Sequence, residues 1–229
     1  MQYLGIISAR AGSKTIPNKN IYKINKFPLI YYSIKAFQES SIRNNFYVST
    51  DGLKIKTIAA SYGARIIDRP SNISTDVSSS IECLIHAINC FKCKPEILVL
   101  VQPTSPLISG KYIDDMVKQI IESKRLDCII SCNLTHPILW QPYGENIVPY
   151  NHKISHRNRR QDSGHVLEEN GMIYCIRTNK LIENYVSGNS SVVFGNVGKY
   201  IIPKYRSFQI DDYDDIVIVE SIIKNLYSN

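Results

Sequence analysis

Residues 3–20 read YLGIISARAGSKTIPNKN and join a short apolar run to a long polar loop. The apolar run Tyr3–Ser8 has the length and composition of a buried strand. The loop from Ala9 to Asn20 contains three cationic side chains, one glycine and one proline. Ligands of α/β proteins bind in the loops that follow the carboxyl ends of parallel strands. This stretch therefore indicates an α/β fold with a binding loop directly after its first strand.

The same alternation continues along the chain. Further strands are predicted at Phe46–Thr50, Ala64–Ile67, Ile97–Val101 and Cys128–Ser131, and helices at Leu29–Ser40, Lys54–Tyr62, Ser80–Phe91 and Tyr112–Ser123. Alternating strands and helices predict a mostly parallel sheet flanked by helices. The pattern resumes later with strands at Gly171–Ile176 and around Tyr200–Pro203, and a terminal helix at Tyr213–Tyr227.

The pattern is interrupted by a polar, proline- and tyrosine-rich region, Pro137 to Asn158, which overlaps the basic run 156–160. We interpret this region as an insertion or dimerisation lobe rather than sheet. The whole lobe would extend over about 135–195 and belong to the same single domain as the rest of the chain. Trp140, Tyr143 and Tyr150 either wall a ligand pocket or, as is commoner for such residues, pack between subunits.

Composition sets the class of protein. A chain of 229 residues with 44% hydrophobic residues buries one sizeable core, so we expect one domain. The net charge of +7 favours an anionic partner but does not choose among nucleotide, acidic sugar, nucleic acid and membrane surface. No apolar run is long enough to span a bilayer, and no basic segment precedes the apolar start. We therefore expect a soluble, cytoplasmic protein that binds neither membrane nor nucleic acid.

Six cysteines are scattered without the spacing of a disulfide framework, so we expect reduced thiols that mostly fill the core. Cys90 and Cys93 have the spacing of half a zinc site. No second Cys or His pair follows at suitable spacing, and we predict no zinc.

The loop after the first predicted strand suits a triphosphate. Arg10, Lys14 and Lys19 supply positive charge, and Gly12 and Ser13 give access to backbone amides. The loop matches neither the Walker pattern nor the glycine pattern of dinucleotide folds. The alternative interpretation is that this basic loop is simply exposed to solvent and binds no ligand.

Other polar segments also follow predicted strands. Val48–Asp51 ends one strand, and Arg69 precedes the serine-rich segment Ser74–Ser80 that opens a helix. That segment either caps the helix or, with Arg69, contacts a base or ribose. Gln102–Leu107 follows a strand directly, and its two prolines restrict the turn, which favours a role in positioning substrate.

Residues 208–215, FQIDDYDD, place four carboxylates before and within the first turn of the last helix. Carboxylates at a helix start interact favourably with the helix dipole, so Asp214 and Asp215 have a possible structural role. Asp211 precedes the helix and is freer to bind a metal. Mg²⁺ takes one or two carboxylates together with phosphate oxygens and water, which this segment would supply.

In their order these segments resemble the acylneuraminate (CMP-sialic acid or nonulosonic acid) cytidylyltransferases, relatives of the Kdo cytidylyltransferases, over nearly the whole chain. The matching motifs are A-R-x-G-S-K-x-x-P-x-K-N at 9–20, S-T-D at 49–51, R-P at 69–70, D-x-x-S-S with H-A at 76–87, Q-P-T-S-P-L at 102–107, R-Q-D at 160–162 and E-N-G-x-I-Y at 169–174.

The resemblance implies a Rossmann-like fold of the nucleotide-diphospho-sugar transferase type and a homodimer in which each insertion covers the partner's sugar site. It assigns nucleotide binding to Ala9, Arg10, Gly12, Ser13, Lys14, Lys19, Asn20, Arg69 and Ser80. It assigns sugar binding to Gln102, Arg160, Gln161, Asn170 and Tyr174. The implied catalytic residues are Arg10, Lys19, Gln102 and Asp211, and the implied Mg²⁺ ligands are Asp211, Gln209 through water, and Asp215.

Two positions depart from the family pattern. Gln209 stands where the family has a second acid of D-I-D, so a metal would bind more weakly or rely more on phosphates. Thr15 stands where the family commonly has glycine or a basic residue. Both bear on which acidic sugar is the substrate.

The resemblance implies transfer of CMP from CTP to the anomeric hydroxyl of a nonulosonic acid, with release of pyrophosphate. The alternatives are a nucleotidyltransferase for a Kdo-type acid or a sugar 1-phosphate, which base preference would separate, and a non-catalytic nucleotide- or RNA-binding module. Steep salt dependence of RNA binding would identify the last.

Overall fold

The computed structural model describes residues 2–155 and 166–227. Within these ranges the strands are β1 Tyr3–Ser8, β2 Lys23–Ile24, β3 Phe27–Pro28, β4 Phe46–Thr50, β5 Arg65–Asp68, β6 Ile97–Val101, β7 Cys128–Thr135, β8 Trp140–Tyr143, β9 Asn146–Pro149, β10 Val166–Arg177 and β11 Val197–Ile201. The α-helices are α1 Leu29–Gln38, α2 Leu53–Ser61, α3 Ser80–Asn89, α4 Gly110–Glu122, α5 Thr178–Val186 and α6 Tyr213–Tyr227.

A central sheet has the strand order β11-β7-β10-β6-β1-β4-β5. Neighbouring strands are parallel except for β10, which runs antiparallel to both β6 and β7. The predicted α/β fold with a mostly parallel sheet is confirmed. Because successive parallel strands need crossover connections, helices cover both faces of this sheet.

Alternation along the strands divides the core between the two faces. Ile7 and Val99 pack with α1, α2 and α4 on one face. Leu4 and Leu98 pack with α3 and α5 on the other. A third cluster joins the first loop to the turn after β6 and to the start of α6, through Ile16, Leu107, Ile210 and Val219. This third cluster brings three polar segments, distant in sequence, to the same edge of the sheet.

The region predicted to be free of sheet contains a hairpin, so that prediction is wrong in detail. Strands β8 and β9 pair antiparallel, apart from the central sheet. Gly144 adopts φ +59° between them, a conformation that glycine tolerates and that hairpin turns require. Strand β10 is longer than predicted, because a register shift between Glu169 and Tyr174 interrupts its apolar alternation. Strand β11 overlaps the strand predicted around Tyr200–Pro203, but it starts earlier, at Val197, and ends earlier, at Ile201.

All six cysteines are free, as predicted. Four are buried in the core, whereas Cys90 and Cys93 are exposed. Across the described ranges no group of three His, Cys, Asp or Glu side chains could hold a metal ion. None of the helices in those ranges combines the length and apolar character of a bilayer span.

Gly5 is the tightest point of β1. A Cβ atom there would overlap the ring of Phe37 and lie 2.9 Å from the Cβ of Phe46. The two rings stack with their centroids 5.2 Å apart, so neither has room to move. We expect Gly5→Ala to lower the free energy of unfolding by about 1–3 kcal/mol, measured by urea denaturation. Combined with Phe37→Leu it should cost less than the sum of the single changes; strict additivity would contradict the predicted overlap.

Candidate active site

A first cavity of about 330 Å³ lies at the carboxyl ends of β1, β5 and β6. It is lined by most of the residues predicted to bind nucleotide, together with one predicted to bind sugar: Arg10, Gly12, Ser13, Lys14, Lys19, Asn20, Arg69, Ser80 and Gln102. Ala9 is the exception, since its side chain is fully buried in the core. The structure therefore brings together residues that are separated by up to 92 positions in sequence.

The first loop is held in shape by its own polar contacts. Asp51, at the end of β4, accepts a hydrogen bond from the backbone N–H of Ala11 at 2.8 Å. The side chain of Asn20 donates to the carbonyl of Arg10 at 2.9 Å. These bonds fix both ends of the segment that carries Arg10 and Lys14.

Asp76 bridges the first loop to the segment before α3. One carboxylate oxygen lies 2.5 Å from Arg10 and the other 2.9 Å from Lys14. Hydrogen bonds from Lys14 and then Arg10 lower the pKa of Asp76, so its carboxylate is ionised at neutral pH. Both pairs are at the surface, where such contacts add little stability but do orient side chains. Asp76 thereby holds together two cations that line the first cavity.

The serine-rich segment Ser74–Ser80 caps α3, which was one of the two interpretations drawn from the sequence. Ser79 is the N-cap residue, and its hydroxyl accepts from the backbone of Glu82 at 3.4 Å. The Glu82 carboxylate accepts from the Ser79 backbone at 2.7 Å and completes a capping box. Ser80 is the first helical residue and lines the first cavity, so the segment both starts the helix and forms part of the cavity wall.

Arg69 is a buried cation in the wall of the first cavity. Only 7% of the residue is exposed. Its Nη1 donates to the Ser8 hydroxyl at 3.0 Å, while Nε and Nη2 are buried without a hydrogen-bond partner among the described residues. The pKa of the nearby His86 is lowered by burial and by the charge of Arg69.

A second cavity of about 420 Å³ adjoins the first. It is lined by Asn133, Thr135, Glu168, Glu169, Asn170, Lys204, Ser207, Phe208, Gln209, Asp211 and Asp215. Lys19 links the two cavities, because its ammonium group lies 3.2 Å from the Asp211 carboxylate and 3.0 Å from the carbonyl of Ile210. The Asp211 side chain is 74% exposed and so remains accessible to a ligand. Asp215 accepts from the backbone N–H groups of Asp211 and Asp212, which is a helix-capping contact.

Two residues predicted to contact sugar differ in their surroundings. The Asn170 side chain lines the second cavity, accepts from Ser131 at 2.6 Å and donates to Ser207 at 3.1 Å. Tyr174 packs in the core and is 6% exposed. Its hydroxyl donates at 2.6 Å to Glu169, which does line the second cavity. Burial and this carboxylate raise the pKa of Tyr174. Arg160 and Gln161 lie outside the described residues.

Gln209 lies where the two cavities meet. Its amide N–H donates to the carbonyl of Asn170, and its oxygen accepts from the Thr104 hydroxyl at 3.4 Å. Gly171 makes this approach possible, because its φ of +62° suits glycine and an added Cβ would overlap the Gln209 amide and lie 3.3 Å from the Gln102 oxygen. Gln209 thus connects the bulge of β10 to the turn after β6.

A carboxylate at position 209 could not donate to the Asn170 carbonyl. We expect Gln209→Glu to lower the free energy of unfolding at pH 7 by about 1–2 kcal/mol, because it places a charge against a carbonyl oxygen. Gln119→Glu is the matched control, since the Gln119 amide also donates to a backbone carbonyl, that of Lys199 at 3.2 Å, far from the cavities. Equal losses in urea denaturation of the two variants would contradict a special role for Gln209.

The sequence model of a family described as cytidylyltransferase matches residues 4–216. The chain belongs to the cytidylyltransferase family. It is 30% identical over 237 residues to the CMP-N,N'-diacetyllegionaminic acid synthase of Campylobacter jejuni, covering 98% of this chain and 97% of that protein. It is 31% identical over 226 residues to the N-acylneuraminate cytidylyltransferase B of Danio rerio, covering 96% of this chain and 51% of that protein.

This cytidylyltransferase chain spans about half the length of the zebrafish relatives that it matches. Its fold is similar to that of a CMP:2-keto-3-deoxy-manno-octonic acid synthetase solved in complex with CTP. The TM-score is 0.76 at 15% identity, over 99% of this chain and 100% of that one. The predicted family and the Rossmann-like fold class are confirmed.

Sequence reasoning did not find three contacts of this cytidylyltransferase site. Asp76 was recognised only within a motif, whereas it pairs with two cations of the first loop. Ser8 and Thr104 line the first cavity and hydrogen-bond to Arg69 and Gln209. For Ser8 and Thr104 the available signal was their position at or just after the carboxyl end of a central strand, whereas Asp76 lies in the loop before α3.

Proposed function

We propose that the protein transfers CMP from CTP to an acidic nine-carbon sugar, with release of pyrophosphate. The observation that carries this proposal is the first cavity, where three cations of one loop face Arg69 and Gln102 beside a second, carboxylate-lined cavity. Arrays of cations and backbone amides are suited to a triphosphate. The family assignment and the named activities of the relatives support cytidine as the base and an acidic sugar as the acceptor.

In this proposal the anomeric hydroxyl oxygen attacks the α-phosphorus of CTP, the bond from that phosphorus to the pyrophosphate oxygen breaks, and the hydroxyl proton passes to water. Arg10, Lys14 and Lys19 bind the triphosphate and stabilise the charge that develops on the departing pyrophosphate. Asn20, Arg69 and Ser80 hold the cytidine. Gln102 and Asn170 position the sugar, so that the reaction depends on orientation and charge neutralisation.

The residues of the second cavity fit a Mg²⁺ ion shared with phosphates. Mg²⁺ keeps several waters and takes one or two carboxylates together with phosphate oxygens. Asp211 offers an exposed carboxylate beside Lys19, which lines the first cavity. Gln209 uses both amide heteroatoms, and Asp215 uses one carboxylate oxygen, in contacts within the protein, so we place the weight of metal binding on Asp211. When bound, Mg²⁺ would neutralise phosphate charge.

The acceptor is proposed to be a nonulosonic acid because full-length similarity at about 30% identity includes a legionaminic acid synthase. The test is pyrophosphate release with Mg²⁺, each of four nucleoside triphosphates, and sialic, legionaminic, pseudaminic or Kdo-type acids. Release with CTP and a nine-carbon acid is expected. Release only with a Kdo-type acid or a sugar 1-phosphate would replace the proposed acceptor, and release with another base would overturn the cytidylyl assignment.

Removal of the Arg10 guanidinium tests the catalytic assignment. We expect Arg10→Ala to lower turnover by about 10²- to 10³-fold, the range seen when one group that stabilises transition-state charge is lost. Arg43→Ala removes an arginine from the surface away from both cavities and is the matched control. Near-normal turnover by Arg10→Ala, with CTP saturating, would exclude this role.

We also propose a homodimer that uses the lobe around the β8–β9 hairpin. Exposed apolar residues are concentrated there: Leu134, Ile138, Leu139, Trp140, Tyr143, Ile147, Tyr150, Ile154, Val166 and Leu167. An apolar surface of this kind is typical of protein–protein interfaces. In such a dimer, the Arg160 that the family resemblance assigns to the sugar would bind the carboxylate of the sugar held by the other subunit.

The oligomeric state is measured by sedimentation velocity. We expect twice the mass of one chain for the unmodified protein, and a shift toward single chains for Tyr143→Lys combined with Ile147→Lys, because desolvated charge opposes association. Val217→Lys, at an equally exposed apolar position on α6, is the control and should leave the mass unchanged. A monomeric unmodified protein would overturn the proposal.

A further inference from the structure

We propose that Ser8 is a positioning residue for nucleotide binding, acting through Arg69. Its hydroxyl accepts the hydrogen bond from Arg69 Nη1 at 3.0 Å and so fixes the direction of the guanidinium in the wall of the first cavity. The inference rests on the proposed function, because it takes the ligand of this cavity to be CTP.

The sheet explains how the two residues meet. Leu4 and Ile6 of β1 face α3, as does Ile67 of β5. By strand alternation, Ser8 and Arg69 continue these rows on the same face, at the carboxyl edge. Strand β4 lies between β1 and β5, so the side chain of Arg69 extends across a neighbouring strand to reach Ser8.

The contact between Ser8 and Arg69 matters because Arg69 carries a buried positive charge. The guanidinium is almost fully buried, and no carboxylate in residues 2–155 or 166–227 is seen to form an ion pair with it. A buried cation is costly unless hydrogen-bonded acceptors or an anion compensate it. Ser8 is the hydrogen-bond acceptor that the described residues provide for this cation, and an anionic ligand in the cavity that Arg69 lines would offset its charge. The nearby His86 offers no negative charge.

Replacing Ser8 by alanine would remove the one hydrogen bond that the Arg69 guanidinium makes with the described residues. The guanidinium would then rotate among several positions, and a ligand would have to restrict it on binding. Ser8→Ala is therefore expected to weaken CTP binding while the cation remains in the cavity. Ser8→Thr retains the hydroxyl and should restore most of the affinity.

The experiment is a double-mutant cycle read by calorimetric titration of CTP. Ser8→Ala should raise the dissociation constant about tenfold in the unmodified protein, as expected for one hydrogen bond to a charged group. In an Arg69→Gln background the same change should alter it less than about twofold, because Ser8 acts through the missing guanidinium.

Ser49→Ala is the matched control. Ser49 pairs with Ser8 in register on the adjacent strand, and its hydroxyl interacts with Cys83 rather than Arg69. It should leave the CTP dissociation constant unchanged. Equal weakening by Ser8→Ala in both backgrounds, or none in either, would overturn the inference. Failure of the unmodified protein to bind CTP would instead overturn the proposed function. Should Ser8→Ala fail to fold, Ser8→Cys gives the same comparison with a weaker acceptor.

Discussion

Strand alternation at the carboxyl edge of a parallel sheet is the constraint on which the candidate site depends. The rows of apolar residues that pack on α3 each end in a polar residue at this edge: Ser8 after Ile6, Arg69 after Ile67 and Gln102 after Leu100. Since the strands β1, β4, β5 and β6 are parallel neighbours, their carboxyl ends coincide. Residues that are remote in sequence therefore line one cavity, because the sheet itself places them side by side.

Ion pairs near the two cavities then restrict the orientation of the charged side chains there. Asp76 pairs with two cations of the first loop that line the first cavity, and Asp211 lies beside Lys19 between the two cavities. These pairs are exposed on at least one side, so each contributes little to the free energy of unfolding. Their effect is orientation: flexible side chains are restricted near the place where an anionic ligand would bind, which reduces the ordering that binding requires.

The second cavity depends on a local irregularity in β10. A regular strand could not bring Gln209 against the backbone at residue 170, because the positive φ of Gly171 and the absence of a Cβ create that space. The same bulge turns Asn170 toward Ser131 and Ser207, where its amide is fixed. Gln209 thus has a structural contact that requires an N–H donor, which gives a physical reason for an amide at this position.

The sequence by itself determined the order of the seven central strands and of every described α-helix except α5, the family and most residues of the first cavity, because strand periodicity, capping residues and the loop motifs are local features. Tertiary structure alone decided the pairing of Asp76 with Arg10 and Lys14, the reach of Arg69 to Ser8, and the approach of Gln209 to Asn170. The hairpin of β8 and β9 was also missed, since Pro142 and Pro149 interrupt the strand pattern. These contacts depend on strand order, register and a bulge, none of which periodicity along a single chain encodes.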